Sequence, residues 1–197
     1  RVDFAAGRGY DRREYLPFGA DYMTSLERLD ESCQVIMKAW SSPGPWSHKG
    51  QFFDIPEMTL TPRPVQRPIP FYMACFSQAS MDIAGRLGLN IIFAPFAASM
   101  MFGGIAEAVA QYRATCARFG TRPGRAMCSY FVHIASTPAE EQYGKEALVR
   151  YFQDALIAAF PSSSGEKVPP TYKYFVDIVN ILRDMRPEKL TDKSILC

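Results

Sequence analysis

Net charge is nearly absent from this sequence of 197 residues: 22 Lys and Arg stand against 20 Asp and Glu, leaving +2. So weak a field lacks the electrostatic footing that nucleic-acid binding needs. The densest basic group, Arg8, Arg12 and Arg13, is interleaved by Asp11 and Glu14. No apolar run reaches the ~18 residues of a membrane span, and no signal peptide is visible. The five cysteines (Cys33, Cys75, Cys116, Cys128 and Cys197) are odd in number and form no C-x-x-C. Thiols set in apolar runs behave as small hydrophobes and fit a reducing compartment, so the expected location is cytoplasmic. No metal site is expected. Also missing are a G-x-G-x-x-G after a strand and a G-x-x-x-x-G-K-[ST], which counts against dinucleotide-fold and P-loop readings.

What is present is a globular composition, 48% hydrophobic and 21% charged, with one organising stretch. Phe71 to Phe96 reads as strand, turn, helix, strand. Phe71 to Cys75 is wholly apolar, as a strand buried on both faces requires. Ser77 stands where a helix N-cap stands, with Ser80 three residues on. Met81, Ile83, Ala84 and Leu87 have helical spacing, and Gly88 occupies the C′ position. Ile91 to Phe96 is expected as a second buried strand. The first turn puts two hydroxyls and several backbone N–H groups at a helix N-terminus. That arrangement either caps the helix or holds a phosphate, and the residues alone leave both open.

Upstream, Val2 to Ala6 reads as the first strand. It is followed by Gly7-Arg8-Gly9-Tyr10, where two glycines let the backbone approach a ligand while Arg8 reaches it. Thr24-Ser-Leu-Glu27 reads as a capping box, opening a helix with Leu26, Leu29, Cys33, Ile36, Met37 and Trp40 on one face. The connection from Ser41 to Pro70 carries seven prolines and is long for a compact domain. Lys49-Gly50 is expected to turn a small hairpin within it. Thr61–Pro64 and Arg67–Pro70 are expected to be extended. His48 reads as a solvated turn residue with no carboxylate partner in view.

Downstream, Met100 to Phe119 reads as one helix, weakened at its start by Gly103-Gly104 and ended by Gly120. Ala126 to Ala135 reads as a strand containing His133. Thr137-Pro-Ala-Glu140 is a second capping box, with proline in the first helical position, opening a long helix to Phe160. A polar loop (161–170), a helix from Tyr172 to Met185 and a strand beginning at Ser194 complete the series. Alternation of this kind implies an α/β fold with parallel strands covered by helices. It suits a free-standing doubly wound domain or part of a (β/α)8 barrel, which needs about 250 residues. The chain opens at Arg1 into a strand and stops on the start of another. The expectation is therefore a partial (β/α)8 barrel: a single domain over 1–197, a piece of a longer protein, with an inserted segment at 41–70.

Several stretches carry a resemblance when taken in order. They are Val2-Asp-Phe-Ala-Ala-Gly-Arg-Gly-Tyr10, Glu14-Tyr-Leu-Pro-Phe-Gly19, the helix to Trp40, Phe52-Phe53 and Leu60-Thr-Pro-Arg-Pro64. Ile69-Pro70, Ala74-Cys-Phe-Ser-Gln-Ala-Ser80, Gly88 and Ala94-Pro-Phe96 follow. Together they resemble the bacterial luciferase-like flavin-dependent monooxygenases, well over about residues 1–135 and loosely beyond. The resemblance implies a barrel entered at its fourth strand and left at its eighth, with 41–70 as the segment added between the fourth helix and fifth strand. It implies reduced FMN, or in some branches a deazaflavin, at the carboxyl end of the strands. Arg8 would pair with the flavin phosphate, flanked by Gly7 and Gly9. Ser77, Ser80 and the amides of Phe76 and Ser77 would hold that phosphate at the helix N-terminus. Gly7, Tyr10 and Cys75 would lie against the isoalloxazine. Some members carry a second phosphate-binding arginine just after the serine that matches Ser25. Leu26 stands there, leaving Arg12, Arg13 or Arg28 as substitutes, or a looser grip.

The activity so implied is that of a monooxygenase. Reduced FMN supplied by a partner flavin reductase, together with O2, would oxygenate a small apolar organic substrate, and a homodimer is the family's habit. Phe96 and Met100, with Met101 and Phe102, are candidates for an apolar substrate pocket or, equally, for the core. Loop 161–170 is a candidate lid or a variable surface loop. His133 is either a structural histidine or a pocket proton donor. The family's active-site histidine lies before the fourth strand, so no catalytic residue is assigned and residues 1–197 alone are expected to be inactive. Two alternatives stand beside this one. One is a deazaflavin-dependent dehydrogenase or reductase on the same barrel; the other is a flavin-binding or incomplete relative without activity.

Overall fold

The structure, a computed structural model, describes residues 2–160, 167–191 and 194–196. Its strands alternate with helices, and its contacts group into two compact units. One gathers the residues through Arg8, Thr24–Ile92 and Ala110–Ala126; the other gathers Gly9–Met23, Phe93–Val109 and the chain from Met127 onward.

The first unit is built on a sheet. β1 (Phe4–Ala6) pairs in parallel with β4 (Phe71–Ala74), and β4 pairs in parallel with β5 (Asn90–Phe93). The full order is β1-β4-β5-β6, with β6 at Ala126–Cys128. Phe71, Tyr72 and Met73 are all buried, as expected for a central strand covered on both faces. Between β4 and β5 runs α2 (Gln78–Leu87), which starts at an extended Ser77 and stops at Gly88, φ 65°. That left-handed backbone is what glycine supplies at a helix end. Met81, Ile83 and Ala84 are its buried face. α1 (Ser25–Ser41) buries Leu29 and Cys33, and its Asp30 is paired with Arg86 of α2. Phe4 packs edge-on against Trp40 and Phe71.

The expected hairpin in the proline-rich segment is present. β2 (Trp46–Lys49) pairs antiparallel with β3 (Asp54–Met58) across the turn at 50–53. The stretches expected to be extended instead bend, with cis peptide bonds at Thr61-Pro62 and Arg67-Pro68.

Two expectations around β5 are corrected. The strand ends at Phe93, because Pro95 takes the first position of a short helix, α3 (Pro95–Phe102). Gly103, φ 90°, then ends α3, and α4 (Ile105–Phe119) begins afresh. The pair of glycines therefore separates two helices where one weakened helix was expected.

The second unit is helical around an aromatic core. α5 (Pro138–Arg150) is opened by Thr137, whose side chain accepts from Glu140 N. It continues through a π-helical turn, Tyr151–Leu156, into α6 (Ile157–Ala159). α7 (Tyr174–Arg183) follows, shorter than expected. Phe152, Phe160, Tyr172, Phe175, Val179 and Leu182 form the centre of the core. The strand expected over 126–135 is two short ones: β6, and β7 (Phe131–Val132), which pairs in parallel with β8 (Ile195–Leu196). Part of the candidate lid, 161–166, lies outside the described residues.

Candidate functional site

In the first unit, Arg8 leaves β1 two residues after its end, and Ser77 leaves β4 three residues after its end. The strands are parallel neighbours with Ala6 opposite Met73. Both turns therefore emerge at the carboxyl end, from strands ~4.8 Å apart. Arg8 Nε donates to Ser25 Oγ at 2.9 Å, and Ser25 is 3% exposed. The guanidinium is thus aimed by the first residue of α1. This corrects the capping box expected there: Thr24 is the N-cap but makes no side-chain cap bond, and Ser25 uses its hydroxyl on Arg8. A Cβ on Gly7 would meet Ala74 Cβ at an ordinary 3.5 Å, so packing against β4 does not itself demand glycine.

The α2 turn is closed on itself. Ser77 N donates to Ser80 Oγ and Ser80 N to Ser77 Oγ, each at 3.3 Å; the two hydroxyls are 3.1 Å apart. Both serines are buried, while Phe76 is 37% exposed. Cys75 is buried beside them, and burial pushes its thiol up to about 12, only partly offset by the Ser80 hydroxyl. A thiol held so far from ionisation is neutral at physiological pH and no nucleophile. One guanidinium, two hydroxyls and a helix N-terminus thus leave adjacent strand ends, and groups of these kinds are the ones that bind a dianion.

Gly9, Tyr10, Phe96 and Met100 belong to the second unit. Gly9 O accepts from the hydroxyls of Tyr15 and Tyr172. Tyr10 packs against Phe160 and Phe175, and its own hydroxyl is shifted upward, chiefly by burial and then by nearby Tyr151. Phe96 stacks at 5.5 Å on Phe152 and 6.0 Å on Phe131, and Met100 packs against the aromatic core.

His48 has the partner that was not in view: its Nε2 lies 3.0 Å from Glu31 Oε1. The two are 17 residues apart, beyond any local motif. His133 is bound at both ends, its backbone N donating to Leu196 O and its Nε2 lying 2.9 Å from Glu140 O. Its ring fills the space beside Gly144. Among the described residues, no group of three or more His, Cys, Asp or Glu could hold a metal ion, and no helix is long and apolar enough to cross a membrane.

Comparison with known proteins gives a consistent result. The sequence model of a family described as luciferase-like monooxygenase matches residues 1–191. The oxygenase component of a flavin-dependent trigonelline monooxygenase from Acinetobacter baylyi is 31% identical over 98 residues, which is 48% of this chain and 27% of that protein. Among solved structures, monooxygenase RslO1 from Streptomyces bottropensis superposes with a TM-score of 0.69 at 24% identity, over 93% of this chain and 52% of that one. An F420-dependent secondary alcohol dehydrogenase in complex with an F420-acetone adduct also gives 0.69, at 17% identity, over 100% of this chain and 56% of that one. At these identities the structural likeness shows the fold alone. The chain spans about half the length of these solved structures.

Proposed function

Since the chain belongs to the luciferase-like monooxygenase family, we propose that it carries the phosphate-binding part of a flavin site. The whole enzyme would use reduced FMN and O2 to oxygenate a small apolar organic substrate. The observation that carries this reading is the placement of Arg8 and the Ser77–Ser80 turn at the carboxyl ends of two adjacent parallel strands. Arg8, aimed by Ser25, supplies the positive charge; the serine hydroxyls and the first amides of α2 supply neutral donors. The capping contacts of 3.3 Å are long enough to give way to phosphate oxygens. Gly7 and the neutral thiol of Cys75 offer the ring an uncharged contact. Phe96 and Met100 are our candidates for the apolar substrate wall. When bound, reduced flavin supplies the electrons for O2 activation; the protein orients the cofactor and excludes water. The relative from Acinetobacter baylyi is an oxygenase component, which supports a partner reductase that delivers the reduced flavin here too.

A second reading, a deazaflavin-dependent dehydrogenase, stands beside it, because the shared fold also carries an F420-dependent secondary alcohol dehydrogenase. Titrating the full protein with each cofactor separates the two: binding of the deazaflavin but not FMN overturns the monooxygenase. The phosphate assignment has its own test. Arg8→Ala is expected to weaken FMN about 10- to 100-fold, the worth of one charge-assisted contact, and to leave riboflavin unchanged. Equal losses for both ligands remove it.

A further inference from the structure

Glu31 lies on α1 with 12% of its side chain exposed, and its two carboxylate oxygens meet four donors. Oε1 accepts from Phe53 N and faces His48 Nε2, each at 3.0 Å; Oε2 accepts from Gln51 N and Phe52 N, also at 3.0 Å. A carboxylate offers about four lone-pair sites, so its acceptor capacity is filled. The three amides belong to consecutive residues of the hairpin turn, which is tied across by Gly50 N to Phe53 O at 2.9 Å. Successive N–H groups converging on one point make a nest, a concavity suited to anions. Gly50 stands at its lip. A Cβ there would collide with the Glu31 carboxylate and the His48 ring, so the missing side chain is what admits the carboxylate.

We propose that the turn 50–53 is an anion site that the protein fills with its own Glu31, and that this carboxylate latches the β2–β3 hairpin onto α1. A glutamine cannot replace it: an amide has one acceptor oxygen and would turn its NH2 towards groups that are already donors. The surroundings do not supply a substitute anion. Glu27 and Asp30 flank Glu31 on α1 and line the same open recess, but Asp30 is paired with Arg86 of α2. On the hairpin, Lys49 pairs with Asp54 at 3.0 Å. Arg28 covers the Phe52 ring at 4.8 Å, and Lys38 Nζ donates to Ser47 O. These flank the latch without entering the nest.

The latch is acid-sensitive, and the sign follows from the contacts. Burial works to raise the Glu31 pKa. The three amides and His48 outweigh it and hold the carboxyl below the ordinary glutamate value of 4.5. A group with a lowered folded pKa contributes its full stability above the unfolded value and loses it as pH falls through the folded one. The latch therefore holds above 4.5 and is expected to weaken as the pH falls below it.

Amide hydrogen exchange at residues 51–53 of the full chain tests this. Glu31→Gln is expected to speed exchange there about tenfold or more, with α2 and β4 unchanged. In Glu31→Ala, sodium formate is expected to restore protection, while sodium chloride at equal ionic strength is not. Unchanged protection in Glu31→Gln, or a folded Glu31→Ala that formate fails to restore, overturns the proposal. Should both variants fail to fold, the native protein is titrated from about pH 7 to about pH 3, with exchange corrected for its intrinsic pH dependence. Loss at 51–53 ahead of α2 and β4 supports the latch. Simultaneous loss throughout overturns it.

Discussion

Cys75 shows how strongly surroundings decide what a residue can do. It stands beside the serine turn at the end of β4, yet it is 1% exposed and its thiol is pushed up to about 12, chiefly by burial. Cys33 is pushed up to about 12 for the same reason, and Cys116 is fully buried. Cys128 is exposed. Alkylation of the native protein with iodoacetamide at about pH 8 should therefore modify Cys128 and spare Cys33, Cys75 and Cys116 until denaturant is added. Peptide mass mapping reads the outcome, and early loss of Cys75 would show that its turn opens. The residue scale is also where the sequence was least legible. Arg8, Ser77 and Ser80 could be picked out because glycine-flanked arginine and N-cap serine are local patterns. Ser25 reads only as the residue between Thr24 and Glu27 of a capping box, since its bond to Arg8 spans 17 positions. The Glu31 latch depends on amides 20 to 22 residues away, and backbone N–H groups leave no trace in side-chain identity.

Elements with strong local punctuation were legible almost to the residue. α2 occupies Gln78–Leu87 between Ser77 and Gly88 as the pattern predicts, because cap, periodicity and stop agree there. The region after β5 was not. Pro95 serves equally at the end of an apolar run and at the start of a helix, and Gly103 weakens a helix or ends it depending on its φ. The long helix to Phe160 holds a π-helical turn that apolar spacing does not distinguish from a regular one. Within the first unit, one side chain ties α4 to the segments on either side of it at Leu89 and Gly124. The hydroxyl of Tyr112 on α4 donates to Leu89 O at 2.5 Å and accepts from Gly124 N at 2.7 Å, and the residue is 1% exposed. Tyr112→Phe keeps the ring and strands both backbone groups. The expected cost is about 1–3 kcal/mol, read as a lower urea midpoint with an unchanged m-value. No change in midpoint would mean that water replaces the hydroxyl.

At the scale of the whole molecule, the alternation of strands and helices was legible, and with it the α/β class, while the family was legible only through the resemblance carried by the residue stretches between Val2 and Phe96. The grouping of contacts was not. Each unit collects three separate stretches of chain, and periodicity carries no information about which stretches associate. The most direct measurement of the joint phosphate grip is a double-mutant cycle in the full protein, with Arg8→Ala, Ser80→Ala and the pair, titrated with FMN and with riboflavin. Two groups holding one phosphate predict non-additive losses for FMN, with a coupling of about 0.5–3 kcal/mol, and none for riboflavin. Additive losses for FMN, or the same coupling for riboflavin, would contradict a shared dianion.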